Sequence, residues 1–108
     1  MRIDELEKLL NEVKGVLRSK AVLNTQRLMI LIALYLSGRL LFTDLARVTG
    51  IGKGRLEYHL DVLEKEGLIR RRRYLTLLGP RVYIEITKEG EGLLKEVINA
   101  LSKVVKRD

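Results

Sequence analysis

Apolar positions recur at three- and four-residue steps along most of this chain and alternate with polar ones over a single stretch. Ile3, Leu6, Leu10, Val13 and Leu17, set among Asp4, Glu5, Glu7 and Glu12, predict a helix over residues 3–18. The early acids favour its N-terminus. The run RLMILIALYL is apolar nearly all round, which predicts a central core helix capped by Asn24 or Thr25 and ended at Ser37-Gly38. Thr43 is placed to cap a short third helix through Val48, and Gly50 follows where a left-handed residue ends a helix at least cost. Leu56, Leu60 and Leu63 make the buried stripe of a fourth helix, from about Lys53 to Gly67. Residues 69–75 and 81–87 read as a hairpin. Val82, Ile84 and Ile86 face one way, Tyr83, Glu85 and Thr87 the other, and Gly79-Pro80 is the turn signal. From a cap at Thr87, the residues Leu94, Val97, Leu101 and Val104 repeat in the spacing of a helix pair's seam to about Lys106.

Composition narrows the class. The 108 residues fit one domain, 1–108, with 46% hydrophobic and 32% charged residues, which excludes a disordered chain. There is no cysteine and one histidine, His59, so a disulfide framework and a thiolate metal site are excluded and no cofactor is expected. His59 has no second histidine or evident carboxylate partner, and a structural, hydrogen-bonded role is expected of it. The N-terminus is acidic and amphipathic rather than a signal peptide. The longest apolar run, Leu28 to Ser37, is far short of the roughly 20 residues that span a bilayer. The expectation is a soluble, cytoplasmic, nucleoid-associated protein with no membrane partner.

Charge changes the picture most. The net charge of +7 is concentrated in the middle: residues 70–83 carry five arginines and no acid, while both ends balance. That distribution favours a localised polyanion site. A short helix, a tight turn and a longer helix, followed at once by a cationic hairpin, is an arrangement that seats the second helix in a DNA major groove. On the fourth helix Arg55, Tyr58 and Lys65 fall away from the buried stripe, and Glu57 lies nearer one flank. Arg55 and Tyr58 are candidates for base edges, with Lys53 nearer the backbone; arginine's fork matches two guanine acceptors. Glu57 is repelled by phosphate unless it accepts from a cytosine amine. Alternation sends Arg71 and Arg73 to one strand face, Arg70 and Arg72 to the other. They are read either as phosphate contacts or as charges protecting an edge strand. Arg81, after Gly79-Pro80, is a candidate for the minor groove. The Gly50–Gly54 run lacks the spacing of a phosphate-binding loop. Free N–H groups at the start of the next helix, at Gly54, remain able to meet a phosphate. No nucleophile–base pair and no carboxylate pair forms a credible catalytic site, so the chain is not expected to be an enzyme.

The combined segment resembles the winged helix-turn-helix transcriptional regulators. The marks are RLMIL in the core helix, FTDLARVTGI before the turn, GRLEYHLDVLEKEGLI on the fourth helix and YIEITKEG entering the last. It is similar to MarR-, ArsR- and PadR-like proteins and to small archaeal and bacterial winged-helix DNA-binding proteins, over about residues 25–95. The resemblance implies a mainly α fold with a small β-hairpin wing: a core over 24–87, a recognition helix at 53–66 and a wing at 70–84. It implies a homodimer on double-stranded DNA, with Thr43, Lys53, Gly54, Arg55, Glu57, Tyr58, Arg71, Arg73 and Arg81 as the DNA-contacting set. The helices at 3–18 and 88–106, through Leu6, Leu10, Val13, Leu94, Val97, Leu101 and Val104, are the candidate dimer clamp. A winged-helix protein-interaction module and a nonspecific chromatin-like protein are the rival readings. The residues identify no small-molecule effector.

Overall fold

Asn24 starts the helix on which the rest of the fold is assembled. Its side chain accepts a hydrogen bond from the Arg27 N–H at 3.1 Å, which satisfies one of the donors left open at a helix start. The computed structural model describes residues 1–19, 21–22 and 24–106. The elements run α1 (Ile3–Val16), α2 (Thr25–Ser37), β1 (Arg39–Leu41), α3 (Phe42–Thr49), α4 (Lys53–Lys65), β2 (Ile69–Thr76), β3 (Gly79–Ile86) and α5 (Lys88–Lys106). The strands form one antiparallel sheet in the order β1-β3-β2.

The core gathers Ile30, Leu31 and Leu34 of α2, Leu45 of α3, and Leu56, Leu60 and Leu63 of α4. Ile84 of β3 and Leu94 and Val97 of α5 complete it. The stripe read for α4 is therefore the buried one. The central helix is less enclosed than its composition suggests. Met29, Ile32, Tyr35 and Leu36 of α2 stay exposed, and Tyr35 meets the Lys95 ammonium 5.8 Å from its ring centre instead of the core.

Two further expectations are corrected, and one strand is added. Thr43 does not cap α3, which begins one residue earlier at Phe42 and has no side-chain cap. The segment before α3 is a strand: Arg39, Leu40 and Leu41 pair with Glu85, Ile84 and Tyr83. The hairpin turns at Leu77-Leu78, and Gly79-Pro80 lies inside β3, opposite Thr76 and Leu75.

The corner leading into α5 is tightly built. The Thr87 hydroxyl donates to the Gly67 carbonyl at 2.6 Å and accepts from the Gly90 N–H at 3.0 Å. The Thr87 N–H donates to the Leu68 carbonyl at 3.1 Å. Thr87 thus caps α5 as its sequence predicts, and it ties that helix to the end of α4. Away from this corner, α1 has no buried residue, and α5 continues beside it into a stretch with Leu101, Val104 and Val105 exposed. The radius of gyration is 16.4 Å, against about 13 Å for a compact domain of some 100 residues. Projecting elements account for the difference.

Candidate nucleic-acid interface

Ile51 fixes the helix-turn-helix, because it is buried between two glycines that are exposed. Gly50 sits at φ 70°, in the left-handed region, where a Cβ would crowd the backbone, and its N–H closes α3 on the Ala46 carbonyl at 3.0 Å. The chain then enters α4 through Gly52, whose backbone is extended and offers no side-chain cap. With Leu56, Leu60 and Leu63 turned inward, Lys53, Gly54, Arg55, Glu57 and Tyr58 are left exposed together. Neither Lys53 nor Arg55 has an ion-pair partner among the described residues. Glu57, Thr43, Phe42, Leu41, Pro80, Arg81 and Val82 line a groove of about 460 Å³ between α4, the start of α3 and the wing.

The wing's arginines divide as alternation requires, but to different ends. Arg71 and Arg73 share the face with Ile69 and pair with Ile84 and Val82. That face turns toward α4. Arg71 is consequently engaged by acids within its own subunit, which alternation alone does not reveal. Its guanidinium donates to Glu64 through Nε at 3.0 Å and Nη2 at 2.6 Å, to Asp61 at 2.7 Å and to Glu57 at 3.3 Å. The Arg71 N–H also donates to Glu64 at 3.2 Å. These hydrogen bonds hold the Glu64 carboxyl below its usual value and raise the Arg71 guanidinium above its own. The acids of α4 thus have an internal counter-ion, and Glu57 is engaged by Arg71.

Arg73, two residues further out, is exposed and has no acidic partner among the described residues. On the opposite face Arg72 pairs with Glu85 at 3.5 Å, and the Arg39 guanidinium lies 4.6 Å from the Tyr83 ring centre. Tyr74 meets Tyr83 edge-on at 5.3 Å. Such cation–π and edge-to-face contacts stiffen the hairpin. Arg81 is corrected in position: it lies opposite Tyr74, inside the strand, and donates to the Pro80 carbonyl rather than standing at the tip.

The predicted dimer set also divides. Leu94 and Val97 are buried within their own subunit and are unavailable to a partner, a correction to the seam read from spacing. Leu6, Leu10, Leu101 and Val104 are exposed, as are Ile3, Ile98 and Val105, while Val13 is half-buried. A Lys103–Glu12 pair at 3.7 Å joins α5 to α1.

His59 is the only buried polar or charged residue described. Arg27 donates from Nη1 to His59 Nδ1 at 3.2 Å, so Nδ1 is the acceptor and the proton lies on Nε2, which donates to Gln26 Oε1 at 2.8 Å. This network links α2 to α4 behind the exposed face. Burial first, and the Arg27 and Arg55 charges after it, hold the imidazole below its ordinary 6.5. The unfolded chain therefore takes up the proton more readily than the native one. Stability is expected to be full above about pH 6.5 and to fall as the pH drops from there to the lowered native value. Urea midpoints measured from about pH 7.5 downward should show this slope, and His59→Gln should remove it. An unchanged slope in the variant would assign it to other groups.

These features define a winged helix with one face of α4 left open, and the comparisons agree. The family model described as winged helix DNA-binding domain matches residues 26–105, and the chain belongs to that family. It is a winged-helix transcriptional regulator by the same match and by its structural neighbours. A transcriptional regulator homologue from Pyrococcus horikoshii OT3 superimposes with a TM-score of 0.80 at 29% identity, covering 88% of this chain and 94% of that one. NadR, solved in complex with 4-hydroxyphenylacetate, gives 0.70 at 30% identity, over 95% of this chain and 72% of that one. The transcriptional repressor BigR from Xylella fastidiosa gives 0.65 at 27% identity, with both chains covered in full. Among proteins of curated function, none matches the sequence. No helix among the described residues is long and apolar enough to cross a membrane.

Proposed function

We propose that the protein is a homodimeric regulator that binds double-stranded DNA with sequence preference. In this reading α4 enters the major groove, Arg55 and Tyr58 reach base edges, and Lys53 and the backbone at Gly54 approach phosphate. Thr43 and Arg81 stand at the rim of the same groove, and Arg73 contributes phosphate contact from the wing. The observation that carries it is the exposed Arg55, without an ion-pair partner among the described residues, on the open face of α4. The core over 24–87 does the reading. The helices at 3–18 and 88–106 are the clamp, with Leu6, Leu10, Ile98, Leu101 and Val104 as its apolar surface. A stable dimer needs about 800 Å² buried per partner, and a paired helix arm is suited to supply it.

The test is competitive binding on genomic fragments selected by the protein, across a salt titration. Arg55→Ala should lose about 1–3 kcal/mol and relax preference at one base position, whereas Arg73→Ala should weaken all sequences alike and flatten the salt slope by about one. Operator preference left intact by Arg55→Ala would remove its base-reading role, and a monomer in sedimentation would remove the clamp. Binding without preference would favour the nonspecific chromatin-like reading, and no binding at low salt the protein-interaction module.

A further inference from the structure

The tip of the wing is unlike its stem. From Arg70 to Tyr83 the hairpin carries five arginines and no acid, yet its outermost residues are leucines. Leu75, Leu77 and Leu78 are 88%, 106% and 83% exposed and are absent from the core and from the apolar residues packed on it. A mobile loop would hold such residues loosely, but this turn is built. The Thr76 hydroxyl donates to the Gly79 carbonyl at 2.6 Å and accepts from the Leu78 N–H at 3.2 Å. Gly79 takes the positive φ, 105°, that a short hairpin turn demands, so both leucines keep ordinary backbone angles. The outcome is a rigid apolar point on a cationic stem.

We propose that Leu77 and Leu78 form a wedge that enters the minor groove beside the major groove read by α4, unstacks a base step and bends the duplex. This deepens the DNA-binding reading and rests on it. Apolar side chains inserted between base steps kink DNA in this way, by about 20–90°. Two observations select DNA as the occupant. Arg70, Arg73 and Arg81 keep the stem cationic although Arg71 and Arg72 meet acids, and Pro80, Arg81 and Val82 line the groove that also contains Glu57 of α4 and Thr43 of α3. From Arg71, which binds the acids of α4, the strand runs six residues to Leu77, or about 20 Å at 3.3 Å per residue. That exceeds the roughly 12 Å width of a major groove and carries the tip to the next groove. Flexible pyrimidine–purine steps unstack most readily, so the wedge adds preference where no base edge is touched.

The test uses the full chain and the Leu77→Ser/Leu78→Ser variant, whose substitutions lie on exposed positions and leave the core alone. Duplexes bearing a selected genomic site carry end labels for energy transfer and 2-aminopurine at successive steps. The parent should raise the transfer efficiency and brighten one flanking step. The variant should lose both signals while still binding, with the same salt slope, through the arginine stem. If the parent binds but shows neither signal, or the variant keeps both, the wedge is wrong and the DNA-binding reading stands. If the parent fails to bind DNA at low salt, both fall together. Phosphatidylglycerol vesicles form the second arm: leucine-dependent retention there, with DNA shape unaffected, would overturn the wedge in favour of a lipid surface.

Discussion

Gly90→Ala is expected to lower the folding stability by about 3 kcal/mol or more, through overpacking against a rigid neighbour. The melting temperature should drop by more than about 10 °C. Gly90 is buried where the first turn of α5 crosses the chain leaving α4. A Cβ placed there would overlap the Leu68 carbonyl oxygen and lie 2.8 Å from Ile86 Cγ1. The first of these is backbone, held in place by the Thr87 N–H, and Leu68 itself is buried, so the carbonyl has no room to retreat. Gly92, two residues on, is the control. Nothing lies within 4 Å of a Cβ there, and Gly92→Ala should stabilise the helix by about 0.5–1 kcal/mol. Thermal melts of the two variants check the pair. If they melt alike, the close approach at Gly90 is not what fixes α5 against the reading core. DNA binding by Gly90→Ala should vanish as the chain melts and not before, because the residue lies away from the open face of α4.

How far the fold was legible in the sequence depended on where each element's order comes from. The helices α2, α4 and α5 carry their own periodicity, and Asn24, Gly50 and Thr87 sit at the ends of α2, α3 and α5 where the chain's chemistry required them. Strand β1 carries no such signal. Three residues, Arg39 to Leu41, are too short to display a period of two, and their order comes from β3, more than forty residues later. The turn was misplaced for a related reason. Gly79-Pro80 marks a backbone irregularity, but which residues stand at the tip is decided by register, and register put leucines there. Leu94 and Leu101 belong to one repeat, yet the first is buried in its own subunit and the second is exposed; spacing alone does not distinguish a core from a seam. The candidate site was legible on α4, where the buried leucines dictate what remains outside. It was not legible on the wing. Alternation separates Arg71 from Arg72, but only packing reveals that the Arg71 side meets three carboxylates of α4.

That encounter sets what Arg71→Ala is expected to do to DNA affinity. A simple phosphate contact, once lost, removes one attraction. Losing Arg71 also leaves Glu57, Asp61 and Glu64 without that cation on the helix proposed to enter the major groove. The substitution removes one unit of positive charge, which at a separation of about 7 Å in water amounts to about 0.6 kcal/mol for each nearby phosphate, or roughly threefold in affinity apiece at low salt. Added salt should shrink that loss as screening sets in. Folding should suffer less, by about 1 kcal/mol at most, because Glu57 and Asp61 are more than half exposed and such pairs are heavily screened. The discriminating experiment is rescue. Adding Glu57→Gln, Asp61→Asn and Glu64→Gln to Arg71→Ala should restore most of the lost affinity, because the acids that needed a counter-ion are gone. Without recovery, Arg71 would be a direct DNA contact, as its place in the arginine run first suggested. With recovery, the residue acts one step back from the duplex, keeping an acid-bearing helix compatible with a phosphate backbone and fixing the wing beside the groove it frames.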